Sequence, residues 1–169
     1  WVTRIKWPIG SGLRIKLLGN LRLTTHPIIM DAINSCLEGD GGAMTALGFG
    51  GIASGLVFGT DSPEGIATKT LGGASGQTIK NLYINSNGTH GIMLAGDPTA
   101  GPTGITLDNV IINQAGGSKG KGIVVDGDAI FMKWRKVRIQ TDSVQSGPPV
   151  VHFSAWGTNG SYIDIDVTD

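Results

Sequence analysis

The chain has one cysteine, Cys36, in 169 residues. A single thiol cannot build a disulfide framework, so a small cross-linked scaffold is excluded, and no compartment follows. Charge is sparse and even-handed, with 13 Lys and Arg against 13 Asp and Glu. That balance excludes a protein that holds nucleic acid by bulk electrostatics. No apolar run approaches the roughly 20 residues of a spanning helix, so membrane insertion is not expected. The chain starts at Trp1 with neither Met nor a secretory leader, as expected of a mature product or an excised piece.

Familiar site signatures are missing too. Gly120-Lys121 is similar to a phosphate loop, but Ala115 stands where its first Gly belongs and Gly122 where Ser or Thr would hold magnesium. The Gly-rich segment 39–51 has no G-x-G-x-x-G and no helix after it, which leaves a dinucleotide site unsupported. His26, His90 and His152 lack metal spacing, so no metal is expected, and no cofactor is implied.

What the chain does have is glycine, 28 of 169, about twice the usual share. It also has enough apolar residues, 40%, for one domain with a core. Above all it repeats. The windows Ile79-Lys80-Asn81-Leu82-Tyr83-Ile84, Leu107-Asp108-Asn109-Val110-Ile111-Ile112 and Trp134-Arg135-Lys136-Val137-Arg138-Ile139 align, with a weaker fourth, Tyr162 to Val167. From Ile79 to Leu107 to Trp134 to Tyr162 the steps are 28, 27 and 28 residues. First, fourth and sixth positions are apolar throughout. A second register, Gly91 to Leu94, Gly122 to Val125 and Val150 to Phe153, lies between them.

A fixed period of this size marks a solenoid, whose repeats bury their apolar faces only by stacking. Units rich in Val, Ile, Gly, Asn and Thr, without helical spacing, predict short β-strands. The expected fold is all-β, a parallel β-helix of about six coils of 27–28 residues. Fourth and sixth positions point inward and the fifth outward, but first to fourth is a step of three, so the chain bends at Asn81 and Asn109. Asn tolerates left-handed backbone, and the two side chains are expected to stack as an amide ladder. Lys136 and Asp164 stand at this position in the other windows, which keeps the ladder short.

Residues 1–12 read as a segment leading into or capping the β-helix domain, 13–169, with Trp1 and Trp7 either covering its end or forming a cut edge once packed against something upstream. Leu13, Ile15 and Leu17 alternate with Arg14 and Lys16, Gly19-Asn20 is expected to turn the chain, and Leu21 and Leu23 follow. The run Ile15-Lys16-Leu17-Leu18-Gly19-Asn20-Leu21-Arg22-Leu23-Thr24-Thr25, with Pro27-Ile28 and then Leu37-x-Gly39-x-Gly41-x-x-x-Thr45-x-Leu47, resembles the first coils of pectate-lyase-like β-helices, bacteriophage tailspikes and polysaccharide depolymerases in particular. The windows at Ile79 and Ile105 are similar to their middle coils. The resemblance covers about residues 13–167. It implies a right-handed helix, in keeping with the crossover rule, and a virion-tail or extracellular protein that binds bacterial surface polysaccharide and could cleave it. It also implies a homotrimer and contacts with other tail proteins. A free secreted lyase or glycoside hydrolase, and a fibre segment without catalysis, are the other readings. Of residues 48–77, Leu56 to Phe58 and Ile66 to Thr70 are expected as short strands, and the rest of 60–77 as a loop.

Carboxylates are the candidate catalytic groups, since glycoside hydrolysis commonly uses two. Lys80, Asp108 and Arg135 fall in one outward column, and Tyr83, Ile111, Arg138 and Asp166 in another. Asp108 flanked by cations could act on an acidic sugar held by Lys80, Arg135 and Arg138; alternatively the column is a ladder of opposite charges that keeps register. Asp126 and Asp128 are a second candidate pair, in a sequence, Asp-Gly-Asp, that also makes turns. The calcium-binding aspartates of pectate lyases have no clear counterpart. Trp156 could stack on a sugar ring or pack on the last coil. Tyr83 and Ile111, expected outward and exposed, call for a cover, either a neighbouring subunit or a loop of the same chain. Asn87-Gly88-Thr89 and Asn159-Gly160-Ser161 match the glycosylation pattern and are also simple turns.

Overall fold

The computed structural model describes residues 5–6, 12–23, 28–30, 33–39, 54–58, 64–68, 76–85, 90–95, 104–114, 122–126, 131–141, 151–153 and 163–166. The capping tryptophans, both glycosylation-pattern asparagines, Asp128 and Trp156 lie outside them. Among the described residues there is no helix. The strands are β1 (Ile5–Lys6), β2 (Arg14–Lys16), β3 (Gly19–Leu23), β4 (Ile28–Ile29), β5 (Cys36–Glu38), β6 (Ser54–Phe58), β7 (Glu64–Thr68), β8 (Thr78–Asn85), β9 (His90–Ala95), β10 (Thr106–Gln114), β11 (Ile123–Asp126), β12 (Met132–Thr141), β13 (Val151–Phe153) and β14 (Ile163–Asp166).

All pairings are parallel and form two sheets. One runs β1-β4-β7-β9-β11-β13, the other β2-β5-β8-β10-β12-β14, with β3 on β6 and β6 on β8. The chain visits the sheets in turn, and each strand pairs in parallel with neighbours in its own sheet. β8, β10 and β12 pair as the repeat requires, Ile79 with Leu107 and Leu107 with Trp134. The second register pairs Ile92 with Ile123 and Ile123 with Val151.

The reason lies in where the apolar residues fall. Asn81 and Asn109 adopt φ 53° and 55°. That left-handed residue breaks the alternation and returns the chain to the same face three positions on. Ile79, Leu82 and Ile84 are therefore all buried, as are Leu107, Val110 and Ile112. They meet Ile28, Met30, Ile92, Leu94, Ile123 and Val125 of the other sheet in a single apolar cluster. Parallel sheets need cover, normally from helices. Here the cover of each inner face is the other sheet.

A second left-handed column was not anticipated. Asn34, Gly76, Gly104 and Phe131 have φ between 55° and 65°. Each stands two residues ahead of the paired positions Cys36, Thr78, Thr106 and Lys133. A Cβ on Gly76 would overlap Asn34 Oδ1, so that row requires glycine on steric grounds as well as for its φ.

The structure corrects four expectations. Trp134 pairs with Ile165 and not Tyr162, a register three residues further on. Ile163-x-Ile165 matches Met132-x-Trp134 by simple alternation, which removes the need for a bend in the last row. Asp164 therefore faces Lys133, not Lys136, and Asp166 faces Arg135, not Arg138. Gly19 and Asn20 begin strand β3 and make no turn; the break comes at Leu17-Leu18, where Leu18 is 80% exposed. Of the alternating run ahead of and within the edge strand β2, Leu13 is exposed and Ile15 and Leu17 are half-buried, which leaves that reading of one shared side as it was. Tyr83 and Ile111 are half-buried, so neither is a bare apolar patch. The strand expected at Ile66 to Thr70 runs from Glu64 to Thr68, within the stretch read as loop.

Two early rows are split. β5 covers the first half of β8, Glu38 against Lys80, and β6 the second half, Gly55 against Tyr83. From Lys80 to Tyr83 is three residues, from Glu38 to Gly55 seventeen. Glu38 and Gly55 thus lie against β8 on the two sides of the Asn81 bend.

Candidate functional site

The outward face of the larger sheet carries a row of charge along its register, Lys16, Glu38, Lys80, Asp108 and Arg135, and the register continues to Asp166. The sign alternates at every strand. Sequence reading found only Lys80, Asp108 and Arg135, because the insertion after Glu38 moves Lys16 and Glu38 off the 28-residue period. Asp108 Oδ2 accepts a hydrogen bond from Arg135 Nη2 at 2.7 Å. Glu38 pairs with Arg14 at 2.7 Å and with Lys80 at 3.5 Å.

These side chains are solvated, with Asp108 29% and Arg135 51% exposed. Such pairs contribute at most about 1 kcal/mol each. Their larger effect is on register. Skipping one row would set Lys16 against Lys80 or Glu38 against Asp108, and like charges directly opposite are unfavourable.

As a catalytic arrangement the row is poorly suited. Neighbouring strands lie about 4.8 Å apart, so the carboxylates nearest Asp108 in its row, Glu38 and Asp166, are two strands or about 9.6 Å away. That is the outer limit for an inverting glycosidase and well beyond a retaining one, and a cation stands between in each case. Asp126 ends β11 in the other sheet, paired with Ala95, so the structure does not bring it into the row of Asp108.

The bend supplies the second column. Asn109 Nδ2 donates to Asn81 Oδ1 at 3.0 Å, half-buried, the expected amide stack. Lys136 continues the column with φ 51°, and it is exposed. Arg138 lies beside Ile111 and is also exposed. Phe131, 67% exposed, heads the same strand from its left-handed position. Left-handed backbone costs a side chain other than Gly or Asn roughly 1–2 kcal/mol. Phe131 and Lys136 thus sit where the rows beside them use Gly and Asn. The spacing of Gly76, Gly104 and Phe131, 28 and then 27 residues, was the available signal for this column.

The arrangement holds exposed cations and an aromatic on β12, with a hydrogen-bonded amide column beside them. Among the described residues no group of three His, Cys, Asp or Glu could hold a metal ion. No protein-family model matches the chain, and neither a curated protein nor a solved structure matches it.

Proposed function

We propose that the chain is a right-handed parallel β-helix, and that it serves as the β-helix domain of a bacteriophage tailspike or tail fibre that binds bacterial surface polysaccharide. The observation that carries the fold is the alternation between two parallel sheets with equivalent strands 27 or 28 residues apart in the middle rows. Handedness follows from the right-handed crossover of parallel strands. A solvated sheet face that sets polar groups at regular strand spacing suits an extended polymer.

Binding without cleavage is the reading the site favours. Asp108 is held by Arg135 and has no second carboxylate within catalytic reach in its row. The reading includes a homotrimer, with the half-buried Tyr83 and Ile111 at or near the contact between copies. It places the protein in the virion tail or outside the cell, alongside other tail proteins.

The test is direct. The purified chain is titrated with capsular and lipopolysaccharide glycans, neutral and acidic, while light scattering gives its mass. Saturable binding by a trimer is expected, with no new reducing ends and no ultraviolet absorbance from an unsaturated product. A monomer that binds no glycan overturns the reading; release of cleaved product moves it to a lyase or hydrolase, and Asp108→Asn then shows whether Asp108 takes part.

A further inference from the structure

β12 departs from the two rows before it in one chemical direction. In register, Gly76 and Gly104 become Phe131, Thr78 and Thr106 become Lys133, Asn81 and Asn109 become Lys136, and Tyr83 and Ile111 become Arg138. Each of these replacements brings a cation or an aromatic ring. Phe131, just ahead of β12, and Lys133, Lys136 and Arg138 within it are all exposed, whereas their eight counterparts are half-buried.

Two of the four replacements go against the backbone. Phe131 and Lys136 hold φ 55° and 51°, which Gly and Asn accept more readily. Strained positions of this kind cluster at ligand sites, where the side chain matters more than its fit. The charges are also unequally placed. Lys133 and Arg135 have Asp164 and Asp166 opposite them in β14, and Arg135 binds Asp108. Lys136 and Arg138 lie past the paired span of β14 and make no ion pair among the described residues.

We propose that β12 is a binding strand for an acidic polysaccharide. Phe131 offers a face on which a sugar ring stacks, and Lys136 and Arg138 take the carboxylate or sulfate groups. From Phe131 to Lys136 the strand spans five residues, about 16 Å of extended chain, room for several rings along its length. A nucleic acid fits less well. It brings a charge every 3.4 Å or so per strand, and the four cations of β12 stand among three aspartates, Asp108, Asp164 and Asp166, which a dense polyanion would meet. An acidic glycan, with its charges spaced by sugar rings, can avoid them. This inference rests on the polysaccharide-binding reading and narrows it to acidic polymers.

The experiment compares polygalacturonate, alginate and hyaluronan with neutral dextran, a neutral O-antigen and single-stranded DNA, by titration calorimetry on the purified chain. Acidic polymers are expected to bind and to weaken with added salt. Arg138→Ala should weaken them about tenfold, and Lys136→Asn or Phe131→Gly about three- to tenfold. The last two variants suit the left-handed backbone better than the native residues, so they should unfold no earlier, and lost binding cannot be put down to lost folding. Binding confined to the neutral polymers overturns this inference and leaves polysaccharide binding standing. No binding to any glycan overturns both. Undiminished binding in all three variants, or tighter binding of DNA than of any acidic glycan, also overturns it.

Discussion

β10 and β12 follow one backbone path, residue against residue, and present opposite surfaces. The two left-handed positions ahead of and within β10 hold Gly104 and Asn109, and its outward residues are Thr106, Asp108 and Ile111. Ahead of and within β12 the same positions hold Phe131 and Lys136, with Lys133, Arg135 and Arg138 outward. Their inward residues do the same work in both, Leu107 and Trp134 being equivalent and buried. The core-facing pattern therefore sets the fold, and the outward face is free to vary. Where it varies against backbone preference, as in β12, function is the natural reason.

The largest test of that division is Leu107→Ala. Leu107 is fully buried in a row paired on both sides, and the truncation should cost about 3–4 kcal/mol, read as a lower urea midpoint with unchanged slope. A loss below about 1 kcal/mol would mean that the sheets do not close on a tight core. Next come the glycines ahead of β8 and β10. Gly104→Ala has space around its Cβ and should cost only the backbone strain, about 1 kcal/mol, whereas Gly76→Ala meets Asn34 and should cost at least about 1 kcal/mol more. Equal losses would break the stacked left-handed column.

A change of opposite sign is expected in β12. Phe131→Gly and Lys136→Asn should each raise stability, by up to about 1 kcal/mol, by relieving left-handed strain. Thermal melting of both variants checks this, and a fall in melting temperature for both would show that these side chains hold the strand and are not merely tolerated by it. The smallest effect belongs to Asp108→Asn. It removes a solvated ion pair with Arg135 and should cost no more than about 1 kcal/mol at low salt, shrinking as salt is added. A loss that ignores salt would point to packing or hydrogen bonding in place of charge.

The middle rows were open to reading before any coordinates because nothing interrupts them. With 27 or 28 residues per period, Ile79, Leu107 and Trp134 line up, and the pairing of Asn81 with Asn109 follows. The first rows were hidden by the seventeen-residue path from Glu38 to Gly55, which breaks the period, so Lys16 and Glu38 were missed. The last row was misjudged because Tyr162, Ile165 and Val167 repeat the spacing of Trp134, Val137 and Ile139, while Ile163 and Ile165 match Met132 and Trp134 by plain alternation. Alternation alone cannot choose between registers that differ only in where a bend falls, and Asp166 went to the wrong column with that choice.

Period and polarity were enough to dictate parallel strands, inward faces and an asparagine at the bend, since these depend on residues within one repeat and its immediate neighbours. Which charges meet, which strand carries the strained aromatic and lysine, and how far the last row slides depend on contacts across insertions of arbitrary length. A loop does not record where the chain it interrupts will rejoin; only the packed sheet fixes that.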